Sequence, residues 1–243
     1  MRYSALSDIG LKREKNEDNW NIVLDKDGEP IGFIIADGMG GHMAGEEASR
    51  IAVEEISSMV LECVSKDTSS SDIQTLLTER IRVINNKIMD FSNKNFGGLD
   101  SGTTLSVGVV LNDNLHIAHI GDCRVYLIRD NQITRITQDH SYVAELVKDG
   151  IISSDEAVRH PKRHRITRAL GFKDNFLPDF YVSPIKPNDV YVFCTDGLYE
   201  DVGDEEILRV VLEQPHEDIA KSLVELAKER GGNDNITVIV AWM

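Results

Sequence analysis

The chain has 243 residues, of which 41% are hydrophobic and 28% are charged, and its formal net charge is −15. These values are typical of a soluble globular protein, and they predict one folded domain over 1–243. The excess of carboxylates argues against nucleic acid and anionic membranes as partners, because both bind basic surfaces. No stretch approaches the roughly 18 apolar residues of a membrane span. Three distant cysteines without zinc-site spacing favour a reducing compartment, so we expect a cytoplasmic protein.

Six apolar stretches have the length and the β-branched content of strands. They cover residues 31–36, 104–111, 115–120, 123–128, 189–194 and 236–242. Most of them are apolar along nearly their whole length, which predicts strands that are buried on both faces.

The predicted helices arrive in pairs between runs of strands. Apolar residues recur at helical spacing over 44–64 and 72–91, and again over about 204–213 and 216–229. Strict alternation of strand and helix would imply a parallel sheet, whereas paired helices favour antiparallel sheets with helices on their faces. We therefore predict an α+β fold. Residues 141–180 differ, because they combine short helical fragments with glycines, prolines and the basic tract "RHPKRHR", and we interpret them as an inserted flap.

Two of the four Asp-Gly dipeptides stand at the ends of apolar strands. Asp37 follows "FIIA" and Asp196 follows "VFCT". At the edge of a core, even a polar group without a partner costs about 2 to 7 kcal/mol, so these two carboxylates require a counter-charge. The other two dipeptides, at 27 and 149, are interpreted as a hairpin turn and the end of a helix.

Further carboxylates occupy comparable positions near strand ends, namely Glu17, Asp18, Asp122 and Asp234. For any one of them, a role in a turn or a helix cap is the simpler interpretation. The repeated context of the whole set instead predicts a metal site. Oxygen ligands without a cluster of histidine and cysteine suit hard cations such as Mg²⁺ or Mn²⁺, and three or more converging carboxylates would hold two ions.

Seven motifs in order carry a family resemblance. They are "GLKREKNEDNW", "IIADGMGGHMAGE", "DSGTT", "AHIGDCRVYLI", "TQDHS", "FCTDGLYE" and "GGNDNITVIV". From about Ser4 to Trp242 the chain resembles the bacterial PPM (type 2C) metal-dependent protein serine/threonine phosphatases. The resemblance implies a four-layer α-β-β-α sandwich of two antiparallel sheets flanked by helix pairs, with metals in a cleft at one edge. It also implies an enzyme that removes phosphate from phosphorylated proteins and opposes a bacterial Ser/Thr kinase. We expect this enzyme to be a monomer.

The resemblance further implies two to three Mg²⁺ or Mn²⁺ ions and their ligands. Asp37 is expected to bridge two ions, with the carbonyl of Gly38 completing one coordination sphere. Asp196 and Asp234 are expected to hold the second ion. Asp122 is expected to join Asp196 at a third, weaker ion. A pair of such ions can activate a water for attack on phosphorus, so that no protein nucleophile is needed.

Other residues are expected to act beside the metals. Glu17 and Asp18 match acidic residues that act directly or through water, and Arg13 matches the guanidinium that holds the substrate phosphate through a planar fork. The chain departs from many eukaryotic members at Met39, where they carry the histidine credited with protonating the leaving oxygen. His42 is a candidate replacement as catalytic acid or a group that hydrogen-bonds to the metal ligands, and metal-bound water is the alternative donor.

Three other functional classes make different predictions. A catalytically silent phosphoprotein-binding module on the same fold would lack metal carboxylates, which are present here. A nuclease would need a basic groove, which the net charge opposes. A structural cation-binding protein would cluster its ligands in one loop, whereas these span 18–234.

The basic tract 159–168 is most simply interpreted as a solvated face of the flap, because it is short and lacks interleaved aromatic residues. A functional alternative is that Arg163 and Arg165 attract acidic phosphopeptides and so influence the choice of substrate. Charge reversal at these positions distinguishes the two interpretations.

Overall fold

Two antiparallel sheets pack face to face in the computed structural model, which describes residues 1–40, 44–65, 67–97 and 101–243. The strands are β1 (Arg2–Asp8), β2 (Asp18–Leu24), β3 (Pro30–Gly40), β4 (Ser101–Thr103), β5 (Leu105–Leu111), β6 (Asn114–Ile120), β7 (Arg124–Arg129), β8 (Gln132–Arg135), β9 (Asp179–Pro184), β10 (Val190–Cys194) and β11 (Ile236–Trp242). One sheet has the order β1-β11-β10-β7-β8. The other has the order β2-β3-β5-β6-β9, with the short β4 paired to the end of β3.

Helices cover the outer face of each sheet. They are α1 (Ala44–Cys63), α2 (Ser70–Phe96), α3 (Tyr142–Lys148), α4 (Ser154–Val158), α5 (Asp196–Tyr199), α6 (Asp204–Glu213) and α7 (Ile219–Glu229). Apolar residues of α1 and α2 form one buried cluster with the sheet that contains β3, and those of α6 and α7 form another with the sheet that contains β10. A third cluster fills the space between the sheets. The predicted four-layer α+β sandwich is confirmed.

The layered arrangement explains why the central strands are continuously apolar. Successive side chains of a strand point to opposite faces. In β3, Phe33 and Ile35 point between the sheets, while Ile34 and Ala36 point towards α1 and α2. Both faces are dry, so both sets of side chains are apolar, and the six predicted strands are all found within a few residues of their predicted ends.

The strands that the sequence pattern missed lie mainly at the edges of the sheets. β1, β8, β2 and β9 are edge strands, and each mixes exposed or half-buried positions with few buried ones. A half-exposed strand tolerates polar residues, so its apolar content does not rise above that of a loop. β4 is only three residues long.

The ends of the two long helix pairs follow local capping chemistry. Ser69 precedes α2 and accepts a hydrogen bond from the Asp72 amide, while the Asp72 carboxylate accepts one from the Ser69 amide, which is a capping box. This cap starts α2 two residues before the predicted position. Pro215 separates α6 from a 3₁₀ turn over 216–218 that leads into α7. No helix among the described residues is long and apolar enough to cross a membrane.

Residues 141–178 form an excursion that carries α3 and α4 and is fixed to the core at its return. The amide of Tyr142 donates to the carbonyl of Arg165 at 2.8 Å. Further along, Thr103 and Leu170 exchange backbone hydrogen bonds of 3.0 and 2.9 Å. The side chain of Asn85 on α2 accepts from the Gly171 amide at 2.7 Å. The excursion therefore returns along a fixed path beside the edge of the β3 sheet.

A buried histidine makes the stability of this fold depend on pH. His119 on β6 has its Nδ1 2.8 Å from the Ser106 hydroxyl and its Nε2 3.1 Å from the Gln138 carbonyl oxygen. Since a carbonyl only accepts, Nε2 carries the proton and Nδ1 accepts from Ser106. Burial, assisted by the neighbouring His140, lowers the pKa of His119 to about 3.

We expect the contribution of His119 to the free energy of unfolding to fall as the pH drops below about 6.5, the ordinary histidine pKa. Between that value and the folded pKa the unfolded chain binds a proton that the folded chain does not, so His119 alone should cost about 2 kcal/mol at pH 5. Urea unfolding of the unaltered protein and of His119→Asn at pH 5, 6, 7 and 8 isolates this contribution as the difference between the two pH profiles, since the other titrating groups are common to both. Parallel pH profiles for the two proteins would contradict this assignment.

Candidate active site

Acidic residues from both sheets meet at one end of the sandwich. Asp37 near the end of β3 lies directly opposite Asp18 at the start of β2. In the other sheet, Asp196 follows β10 by two residues and Asp234 precedes β11 by two residues. Since β10 and β11 are antiparallel neighbours, these two positions lie at the same end of that sheet. The strand ends therefore deliver side chains from distant parts of the chain to one cleft.

Asp18 links the two sheets. Its Oδ2 accepts hydrogen bonds from the hydroxyl groups of Thr195, at 3.0 Å, and Thr237, at 2.6 Å, both of which belong to the opposite sheet. Its Oδ1 is buried and has no hydrogen-bond partner within the part of the chain that the structure describes. Burial raises the pKa of Asp18 to about 7, and the charge of Asp234 adds to the rise, although the two hydroxyl bonds oppose it. The two hydroxyl groups thus fix the Asp18 carboxylate in position, while its Oδ1 stays available to bind another group.

Asp122 lies in the turn between β6 and β7, and His140 holds that turn in place. The His140 amide donates to the Gly121 carbonyl at 2.7 Å, and the Gly121 amide donates to His140 Nδ1 at 3.1 Å. The remaining ring nitrogen, Nε2, donates to Asp179, which also accepts from Arg168. Gly121 has a φ of 102°, which favours glycine. Burial first, and then the charge of Asp139, raises the pKa of Asp122 to about 7.

The carboxylates of the cleft lie close enough to raise one another's pKa. Burial is the largest cause of the raised pKa of Asp37, followed by the charges of Asp18, Asp196, Asp122 and Asp234. Burial also dominates the raised pKa of Asp196, followed by the charges of Asp122 and Asp234. Five carboxyl groups in one cleft would repel one another strongly unless cations or protons neutralise them.

Three buried carboxylate oxygens in this cleft lack any partner among the described residues. They are Oδ1 of Asp18, Oδ1 of Asp122 and Oδ1 of Asp196. Buried polar atoms are nearly always satisfied in folded proteins, so each of these oxygens indicates a missing partner. The donor set consists of carboxylate oxygens, which is the set that hard divalent cations prefer. The residues present therefore fit a site for Mg²⁺ or Mn²⁺.

Comparison with known proteins identifies the family of this chain. A family model described as protein phosphatase 2C matches residues 12–236 of the chain. The chain belongs to the protein phosphatase 2C family. The serine/threonine phosphatase stp of Listeria welshimeri is 35% identical to this phosphatase over 250 residues, which cover 99% of this chain and 95% of the relative.

Solved structures agree with this assignment. The serine/threonine phosphatase of S. agalactiae is 35% identical, with a TM-score of 0.91 and 98% of each chain covered. The catalytic domain of the phosphatase PstP, solved in complex with two manganese ions, is 34% identical, with a TM-score of 0.83, and the match covers 98% of this chain and 96% of that one. The predicted family, fold and activity class are confirmed: this protein is a metal-dependent protein phosphatase, and the catalytically silent module is not favoured.

Arg13 lies at the rim of the cleft of this phosphatase and is paired with a predicted metal ligand. Its Nη2 donates to Asp234 Oδ2 at 2.5 Å, and both side chains are partly exposed. Glu17 is also at the rim, half-buried, and its pKa is raised mainly by burial. The structure thus brings Arg13 and Glu17 to the same cleft as the predicted aspartates.

Gly38 is placed by close packing of three backbone segments. Its amide donates to the Glu17 carbonyl at 3.1 Å. A Cβ at this position would lie 2.3 Å from the Gly45 carbonyl oxygen and 2.5 Å from that of Glu17, which no real side chain could do. Glycine therefore permits α1 to begin directly against the end of β3. His42, the predicted acid, lies outside the described residues.

Two residues of this phosphatase cleft were missed by sequence reasoning. Glu200 follows Asp196 by four residues, so both face the cleft from one helical turn. His164 Nδ1 lies 2.9 Å from Glu200 Oε1, and ligand atoms of these two residues and of Asp196 all lie within 4.8 Å of one another. The four-residue spacing from Asp196 to Glu200 within "DGLYE" could have indicated Glu200. Nothing in the sequence indicates that His164 lies beside Glu200.

Asn235 was also missed, and it shapes the rim. Its side chain accepts from the Glu17 amide at 2.8 Å and donates to the carbonyl oxygens of Ile9 and Lys15 at 3.0 and 2.8 Å. One amide side chain therefore holds the loop that carries Arg13 and Glu17 against the start of β11.

Proposed function

We propose that this phosphatase hydrolyses phosphoserine and phosphothreonine on proteins by means of two to three Mg²⁺ or Mn²⁺ ions held in the acidic cleft. The observation that carries the proposal is the set of three buried, unpartnered carboxylate oxygens of Asp18, Asp122 and Asp196 in one cleft. No neutral or basic side chain of the described residues donates a hydrogen bond to any of these three oxygens. Hard cations would satisfy them and offset the mutual repulsion of the carboxylates.

The proposed ligands follow the positions of the side chains. Asp37 would serve two ions, with the Gly38 carbonyl beside it, because the charges of carboxylates from both sheets act on it. Asp196 and Asp234 would hold the ion on the side of the second sheet. Asp122 would share a third ion with Asp196, whose pKa it raises most among the neighbouring charges.

Asp18 and Glu17 are proposed to act around the ions rather than as the main ligands. The two threonine hydroxyls fix one oxygen of Asp18, so only the other oxygen is available to an ion or its water. Glu17 is half-buried at the rim, where a contact through water is the simpler arrangement. When bound, the divalent ions supply a nucleophilic water at neutral pH and neutralise charge in the transition state.

Arg13 is the proposed phosphate-binding residue. Its guanidinium presents parallel N–H groups that match two phosphate oxygens, and it already stands at the rim of the cleft. Binding phosphate requires it to share or exchange its present partner, Asp234. His42 is proposed as the group that protonates the leaving oxygen in place of the residue replaced by Met39, and this role stays a prediction.

Several broader features belong to the same proposal. Residues 1–243 would act as a single catalytic domain with a flap over about 141–180, and the enzyme would work as a monomer. The three cysteines are free, as a reducing cytoplasm would keep them. A Ser/Thr kinase would be the opposing enzyme, because phosphoserine and phosphothreonine on proteins are products of such kinases.

Phosphate release from a phosphothreonine peptide tests the proposal. We expect turnover with Mn²⁺ or Mg²⁺, loss of turnover after treatment with a chelator, and recovery when Mn²⁺ is restored. Circular dichroism recorded in parallel separates loss of metal from loss of fold. Turnover that is unchanged in excess chelator would refute metal-dependent hydrolysis.

A further inference from the structure

A cavity of about 760 Å³ lies between the flap helices and the acidic cleft. Asp122 and Glu200 line it on the side of the cleft, and Val143 and Val147 of α3 line it on the side of the flap. Because residues of the cleft form one of its walls, the cavity continues directly from the place where a phosphorylated side chain would bind. Its volume falls in the range of sites that hold a ligand of several residues or a small molecule, about 300 to 1,000 Å³.

The flap wall of this cavity carries three cationic side chains without an acidic partner. Lys148, Arg159 and Arg163 all line it, and none of them forms an ion pair with a residue in the described ranges. The arginines on the opposite wall, Arg124 and Arg135, are instead bound to Asp139. Four carboxylates also line the cavity, namely Asp122, Asp139, Glu200 and Asp201. The flap residues in the lining include Lys148, Arg159 and Arg163 but no acidic residue, so this wall is a local anion-attracting surface in a chain with a net charge of −15.

A side-chain contact links the flap to the cleft. His164 in the flap lies 2.9 Å from Glu200, which directly follows α5. This contact places the neighbouring Arg163 close enough for its charge to act on Glu200. The contact between His164 and Glu200 therefore fixes the position of the cationic flap wall relative to the cleft.

Arg165 differs from Arg163 although both belong to the same basic tract. Its guanidinium carbon lies 5.7 Å from the centre of the Tyr142 ring, and the residue does not line the cavity. The two arginines that the sequence grouped together therefore face different surroundings.

We propose that this cavity is a subsite for anionic side chains that flank the phosphorylated residue, either carboxylates or a second phosphoryl group. Lys148, Arg159 and Arg163 would bind these groups, while the apolar flap residues contact the peptide between them. The proposal rests on the proposed function, because the substrate must place its reactive phosphate in the adjacent cleft. The preferred substrates are then acidic or multiply phosphorylated segments.

Steady-state kinetics on three phosphothreonine peptides test this subsite. One peptide carries neutral residues around the phosphothreonine, one carries aspartates, and one carries a second phosphate as phosphoserine. We expect a higher kcat/KM for both anionic peptides. Exposed ion pairs contribute up to about fivefold each, so Arg159→Gln and Arg163→Gln should each lower this preference severalfold, and added salt should weaken it. A larger effect with phosphoserine than with aspartate identifies phosphate as the principal ligand.

Arg165→Gln is the matched control, since it makes the same change in charge in the same tract outside the cavity. Equal preference in Arg163→Gln, Arg165→Gln and the unaltered enzyme, or no preference in the unaltered enzyme, would overturn the subsite. Hydrolysis of an aryl phosphate and of the neutral peptide with Mn²⁺ measures the proposed function separately. Fluorescence anisotropy with labelled peptides gives the same comparison of affinities without catalysis, so the subsite is tested even if turnover fails.

Discussion

Replacing Asp37 by asparagine should lower kcat by about a thousandfold, which corresponds to about 4 kcal/mol of transition-state stabilisation. Asparagine has nearly the same size but no charge, so the packing around β3 is kept while the proposed bridge between two cations is lost. Asp37 is surrounded by four other carboxylates, and Arg13, the guanidinium at the rim of the cleft, is already bound to Asp234. Initial rates with saturating Mn²⁺ measure the effect.

The same substitution should stabilise the protein when the metal has been removed. Burial and neighbouring charges raise the pKa of Asp37, so its ionised form disfavours the folded state at neutral pH, and the neutral amide removes that cost. For a chain of this size each 1 kcal/mol shifts Tm by about 2–4 °C. Asp90→Asn, an exposed position on α2, is the control and should change neither activity nor Tm. If Asp37→Asn kept more than a tenth of the original kcat, the proposed role of Asp37 would be wrong.

Divalent cations should raise the thermal stability of the unaltered enzyme substantially. A cation that binds only the folded state stabilises it by about 2.7 kcal/mol at one hundred times its Kd. At about 2–4 °C per kcal/mol, one occupied site should raise Tm by roughly 5–10 °C. The cleft favours this outcome because its buried carboxylate oxygens have no partner that the cation must displace.

Thermal melts in Mn²⁺, in chelator, and in KCl of equal ionic strength separate specific binding from screening. We expect a rise with Mn²⁺ alone, and a smaller rise in Asp37→Asn. Identical melting curves in Mn²⁺ and in chelator would show that the cleft does not bind the ion in the folded state.

The sequence was most informative for strands that are buried on both faces and for the carboxylates at their ends. Strands buried on two faces must be apolar throughout, so β3, β5, β6, β10 and β11 could be read from composition alone. A carboxylate at the end of such a strand conflicts with its surroundings, and that conflict predicted Asp37 and Asp196 as site residues. The structure places both in one cleft with the other predicted aspartates.

Contacts between surface segments could not be predicted in this way. Arg13 contacts Asp234, and His164 contacts Glu200. Both contacts depend on how loops that are far apart in sequence pack against the two sheets. Exposed charged residues have many equivalent partners, so no single pairing follows from composition or periodicity. The edge strands were missed for a related reason, since water satisfies one face of each and removes the need for an apolar pattern.

The hydrogen bonds from Thr195 and Thr237 to Asp18 have a consequence for how the enzyme loses activity. Because both sheets contribute carboxylates to the cleft, neither sheet could assemble it alone. Denaturant should therefore abolish turnover at the concentration that separates the layers, with no folded but inactive species before it.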